Sequence, residues 1–70
     1  MMLSARNQLK GVVKSLAIEG IMAEVVVALG GDQEVVSVIT ASSARRLELE
    51  VGKTVTVVIK STEVMLATDP

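Results

Sequence analysis

Ile21-Met22-Ala23-Glu24-Val25-Val26-Val27-Ala28-Leu29, then Gly30-Gly31-Asp32, then Gln33-Glu34-Val35-Val36-Ser37-Val38-Ile39-Thr40: the reading of this stretch decides the fold. In its first part Ile21, Ala23, Val25, Val27 and Leu29 share one face at a period of two. The other face, Met22, Glu24, Val26 and Ala28, is also largely apolar. A strand apolar on both faces is buried on both faces. Gly30-Gly31-Asp32 is a hairpin signal. The returning strand puts Val35, Ser37 and Ile39 on one side and Val36 and Val38 on the other. In a small barrel, the outer face of such a pair can be covered only by another subunit.

The flanking sequence supplies the remaining elements. Leu9–Ile18 reads as an imperfectly alternating strand. Its Gly11 precedes two adjacent apolar residues, Val12 and Val13, which permits a bulge or a close backbone approach. Glu19-Gly20 is a turn. After Thr40 a short helix runs through Ala44 to about Leu47, with Thr40 or Ser42 as its N-cap. Arg45 and Arg46 lie near its C-terminus, where cations are favoured. Leu49–Lys53 connects to Thr54–Lys60, the cleanest strand, with Val55, Val57 and Ile59 on one face. Ser61-Thr62-Glu63 breaks that strand, Val64–Ala67 reads as a last short strand, and Thr68-Asp69-Pro70 as a frayed end. Three strands, a helix and two strands predict an all-β fold. Its form is a small five-stranded OB-like Greek-key barrel, with one short helix between strands 3 and 4. Residues 1–70 read as a single domain.

Composition narrows the function. A chain of 70 residues with no Cys and no His has neither disulfides nor the common zinc ligands to support a small core. Yet 50% of it is apolar, and its mean hydropathy is +0.57. Oligomerisation is the remaining remedy. Seven basic and eight acidic side chains give a net charge of -1, and there is no aromatic residue. Single-strand nucleic-acid binding wants stacking platforms and a basic groove, so composition argues against the usual OB ligand. No apolar run is long enough for a membrane span, and no secretory signal opens the chain, which favours the cytoplasm. No nucleophile motif is present and the carboxylates are scattered, so neither an enzyme nor a cation site is expected.

What remains is anion binding. Ser4-Ala5-Arg6-Asn7-Gln8 holds a hydroxyl, a guanidinium and two carboxamides with no carboxylate among them. Lys60-Ser61-Thr62 is a second donor cluster. If the two meet, within one chain or across a subunit interface, they offer a tetrahedral dianion charge and hydrogen-bond donors. The plain readings compete: Ser4–Asn7 as a solvated arm, Lys60 as a strand-end surface lysine, Gly20 as a turn glycine, the methionines as core filler.

Ser4–Gly11, Glu24-Val25, Ser37–Thr40 and Val57–Met65 closely resemble the molbindins, the small Mop-type proteins related to the oxyanion-binding domain of molybdate-transport ATPases. The resemblance covers nearly the whole chain. It implies a hexamer, a trimer of dimers, that stores molybdate or tungstate in the cytoplasm. It also implies a site between subunits formed by Ser4, Ala5, Arg6, Lys60 and Ser61. A second site near the three-fold axis has Gly20, Met22 and Val38 as candidates. The lack of an attached DNA-binding or ATPase segment fits storage. The basic segment Ala41–Arg46 departs from the family pattern. Two other classes are weighed against this one: a ring-forming small-barrel RNA-binding module and a purely structural oligomerisation domain. The size of the cavity would set sulfate apart, and phosphate would bring a proton with no acceptor to receive it. Molybdate and tungstate have nearly the same size and charge, so no residue separates them.

Overall fold

The computed structural model describes residues 2–69. Four strands and one helix run in the order β1 (Asn7–Glu19), β2 (Met22–Gly30), β3 (Gln33–Thr40), α1 (Ala41–Arg46) and β4 (Thr54–Ile59). A 3-10 turn follows at Ser61–Glu63. The strands form one antiparallel sheet in the order β3-β2-β1-β4.

The deciding hairpin forms as its pattern predicts. Val27 pairs with Val35, Val25 with Ser37 and Ala23 with Ile39 on the inner face. The turn itself is Gly31-Asp32, both with positive φ, as the right-handed twist of a two-residue hairpin demands. Gly20 (φ 61) does the same for the β1–β2 turn.

β1 shows how a long strand serves two partners. Its first half pairs with β4, from Asn7–Ile59 to Val12–Thr54. Its second half pairs with β2. The register steps from Val13–Val27 to Ser15–Val26, so Lys14 is a bulge residue. That extra residue changes the phase of the strand. Val13 faces the core before it and Leu16 after it. Gly11 provides the close approach expected of it. A Cβ there would lie 2.5 Å from Val27 Cγ1 and 2.7 Å from the Ala28 carbonyl oxygen.

The core is small. Val13, Val25 and Val27 are its buried centre, with Leu16, Leu29, Ile39, Leu49, Val55 and Val57 packed around them. Ala41 and Ala44 bury one face of α1. Thr40 is the N-cap, accepting from the Ser43 amide at 3.1 Å. At the other end the Glu48 amide donates to the Arg45 carbonyl and the Leu49 amide to Ala44. This is a Schellman arrangement with Glu48 left-handed at φ 53.

Two expectations change. The sheet is an open, curled four-stranded one, because β3 and β4 remain its two edges. Val64–Ala67, the expected fifth strand, has no ladder partner in this single chain, with Val64 extended. Lys60 also falls just outside β4, which ends at Ile59.

Candidate functional site

The register of β1 against β4 builds the first candidate site. Asn7 opposite Ile59 is the last pair of that ladder. Arg6 and Lys60 are therefore the next residues beyond it on adjacent strands. Ser4 and Ala5 precede one of them and Ser61 follows the other. The two donor clusters are brought to one end of the sheet within a single chain.

Local hydrogen bonds hold both arms. Gln8 Nε2 donates to the Ala5 carbonyl at 2.7 Å, which turns the N-terminal arm at the strand entrance. Lys60 keeps an extended backbone (φ -67, ψ 137) and its carbonyl accepts from the Glu63 amide at 2.9 Å. The chain thus leaves β4 straight into the 3-10 turn that carries Ser61. Ser4, Arg6, Lys60 and Ser61 are exposed and Ala5 is half-buried. Among the described residues, neither Arg6 nor Lys60 makes an ion pair; the one found joins Lys14 and Glu34. Both cations at this end of the sheet are therefore available to a ligand. One carboxylate does stand nearby in sequence, Glu63, at the end of the same turn.

Gly20, Met22 and Val38 lie elsewhere. Met22 pairs with Glu19 on β1 and Thr40 on β3, and Val38 pairs with Glu24. Met22 and Val38 both lie on the outer face of the β2–β3 pair, and Gly20 is in the β1–β2 turn. This group sits at the far end of β1 from the first. The structure does not bring the two groups together in one chain.

Beside the second group is a cleft of about 250 Å³ lined by Gly20, Ile21, Thr40, Ala41, Ser42 and Arg45. The Ala41 amide donates to the Ile21 carbonyl at 2.7 Å and ties the helix start to the turn. Arg46 is engaged with Ser43 Oγ at 3.0 Å, whereas Arg45 lines the cleft. The sequence identified Arg45 only as a helix-end cation. Its neighbourhood with Gly20 follows from β3 leading straight into α1, a tertiary fact with no local signal. Among the described residues no three acidic side chains converge on a cation site. No helix among the described residues is long and apolar enough to cross a membrane.

The TOBE domain family model matches residues 3–66. Molybdenum-pterin-binding protein 1 of Clostridium pasteurianum is 46% identical over 66 residues, 94% of this chain and 97% of that protein. The molybdenum transport protein ModE of Azotobacter vinelandii is 46% identical over 67 residues, 96% of this chain. The chain spans about a quarter of the length of the ModE relatives it matches. A molybdate-binding protein from Sporomusa ovata superposes with a TM-score of 0.90 at 35% identity, covering 97% of this chain and all of that one. The cytoplasmic molybdate-binding protein ModG, solved with molybdate bound, superposes at 0.83 with 39% identity, over 87% of this chain and 43% of that one.

Proposed function

The chain belongs to the TOBE-domain family in its molbindin, Mop-type form, and on that premise we propose that it binds molybdate through Ser4, Ala5, Arg6, Lys60 and Ser61. The observation that carries this reading is the β1–β4 register, which sets Arg6 and Lys60 side by side beyond the last pair, Asn7–Ile59. Two fixed positive charges and two hydroxyls suit a dianion, because charge-assisted hydrogen bonds are about twice as strong as neutral ones. Tungstate matches molybdate in charge and nearly in size, and is a ligand of the same site. Sulfate is smaller and leaves some donors unreached. A phosphate that brings a proton meets few acceptors.

The protein acts as a binding protein, without catalysis, in cytoplasmic storage or homeostasis of the oxyanion. It works as a homo-oligomer, a hexamer built as a trimer of dimers, with sites at subunit interfaces. Gly20, Met22 and Val38 contribute to a second, largely backbone-lined site at the three-fold axis. The apolar outer face of β2 and β3 supports such an assembly: Val36 and Val38 are each about 60% exposed in the single chain.

Calorimetric titration with molybdate, tungstate, sulfate and phosphate tests the ligand. Tight binding of the first two and weak binding of the others is expected. Sulfate bound as tightly as molybdate would defeat the size argument. Elemental analysis after gel filtration tests retention, with at least one molybdenum per chain expected.

A further inference from the structure

Gln8 belongs by sequence to the N-terminal run of donors, but the structure spends its amide inside the chain. Gln8 Nε2 donates to the Ala5 carbonyl at 2.7 Å, a well-formed bond for an N–H donor. Among the described residues it is the one hydrogen bond found on the arm before Asn7, where the β1–β4 ladder begins. Ser4 is a bend, and Ala5 and Arg6 belong to no strand. Gln8 faces Val58 across the ladder, so no polar side chain opposite it competes for the amide. The direction of the Ala5–Arg6 peptide therefore rests on one side chain.

The effect of the bond follows from the peptide plane. In a trans peptide the carbonyl and the N–H that share the plane point in opposite directions. Holding the Ala5 carbonyl back toward Gln8 turns the Arg6 N–H the other way, out past the last ladder pair, Asn7–Ile59. The second arm is built alike. The Lys60 carbonyl accepts from the Glu63 amide at 2.9 Å, which turns the Ser61 N–H away from the 3-10 turn. On each arm the carbonyl that would repel an anion is occupied, and the N–H that would hold one is presented. On the Lys60 arm the tie is backbone to backbone. On the Ala5 arm it is the Gln8 side chain.

We propose that Gln8 is a positioning residue of the oxyanion site: it touches no ligand, and it holds the Ala5–Arg6 peptide so that the Arg6 N–H and not the Ala5 carbonyl meets the anion. This rests on the anion-binding reading above and adds a residue to it. An arm set in its bound course before the anion arrives spares the cost of ordering it on binding. Gln8 suits the task because its amide donates without carrying charge, so it leaves the charge of the site to Arg6 and Lys60.

Calorimetric titration of the full-length chain with molybdate tests this. Gln8→Met keeps the length of the side chain and removes the donor. It should bind molybdate roughly threefold to tenfold more weakly, the net worth of one hydrogen bond, with the size and Tm of the anion-free protein unchanged. Gln8→Glu presents acceptors alone at neutral pH and adds a negative charge, so it should bind more weakly still. Raising the salt should narrow the gap between the two variants, because an exposed charge is screened and a missing donor is not. The Arg6 amide resonance gives a second readout. It should move when molybdate is added to the parent, and in the anion-free state it should already differ between the parent and Gln8→Met. Parent-like affinity in Gln8→Met overturns the proposal, as does an Arg6 resonance that molybdate leaves in place. A variant that loses size and affinity together makes Gln8 a structural residue and also overturns it. A parent that binds no molybdate sinks the anion reading instead, and the anion-free Arg6 resonance still shows whether Gln8 sets that peptide.

Discussion

Lys60 is the residue on which the anion site turns. It stands one position past β4, so the ladder anchors the chain just before it, and among the described residues its side chain makes no ion pair. Replacing it with Ala should leave the sheet and the thermal transition of the apo protein intact. It should remove a charge-assisted bond of about 1.5–3 kcal/mol. Titration should then show molybdate affinity lowered roughly tenfold to a hundredfold. Parent-like affinity would make Lys60 an ordinary surface lysine. Gly11 gives the opposite kind of residue, important only to packing. Gly11→Ala drives a methyl into Val27 and the Ala28 carbonyl, and only the Val27 side chain can yield. Overpacking of this sort costs about 1–3 kcal/mol, read as a lowered Tm with anion affinity per folded chain unchanged. Gly11 was legible in the sequence as a point of close approach, since a glycine inside a strand has few other uses. The Arg6–Lys60 neighbourhood was legible only as two donor clusters. Their meeting depends on β1–β4 register, which no local pattern encodes.

At the scale of elements, the hairpin was read correctly because alternation and turn chemistry agree over 20 residues, from Ile21 to Thr40. The Lys14 bulge was not read. Its signature is only that Val13 and Leu16 are both apolar, which imperfect alternation also explains. The fifth strand was read from Val64–Ala67, which joins no ladder in the single chain, because an apolar run marks a segment that wants burial without saying that it pairs. The helix was placed within a residue or two by its cap. Thr40→Ala removes the bond to the Ser43 amide and should cost about 1 kcal/mol, measurable by denaturant titration. The far end of α1 carries a correctable strain. Glu48 is left-handed at φ 53, a conformation that costs a non-glycine residue about 1 kcal/mol or more. Lys53 Nζ braces it by donating to the carbonyls of Leu47 (2.7 Å) and Glu48 (3.1 Å), contacts a glycine backbone keeps. Glu48→Gly should therefore raise Tm by several degrees. No rise would mean that the Glu48 side chain contributes as much as its backbone costs.

For the whole molecule, the small core and the large apolar surface are one fact seen twice. Among the described residues six are buried hydrophobics: Val13, Ala23, Val25, Val27, Ala41 and Ala44. Meanwhile Val36, Val38, Met65 and Leu66 lie in water. A chain of this size buries too little on its own to be stable without help, and the proposed assembly would supply the rest. Folding and assembly should then be a single transition, and Tm should rise with protein concentration by mass action. Calorimetry across two decades of concentration measures this. Val26→Asp separates the two contributions. Val26 faces outward, is half-buried in the single chain and pairs with Val36 across the β2–β3 ladder. An aspartate there disturbs no inner-face contact, but it places an unpaired charge under any subunit that covers the sheet, which is costly without a partner. The expected result is loss of the assembly, with Tm lowered and no longer dependent on concentration. A Val26→Asp protein that keeps both its size and its concentration dependence would show that this face stays in water, and the oxyanion sites would then have to be complete within one chain.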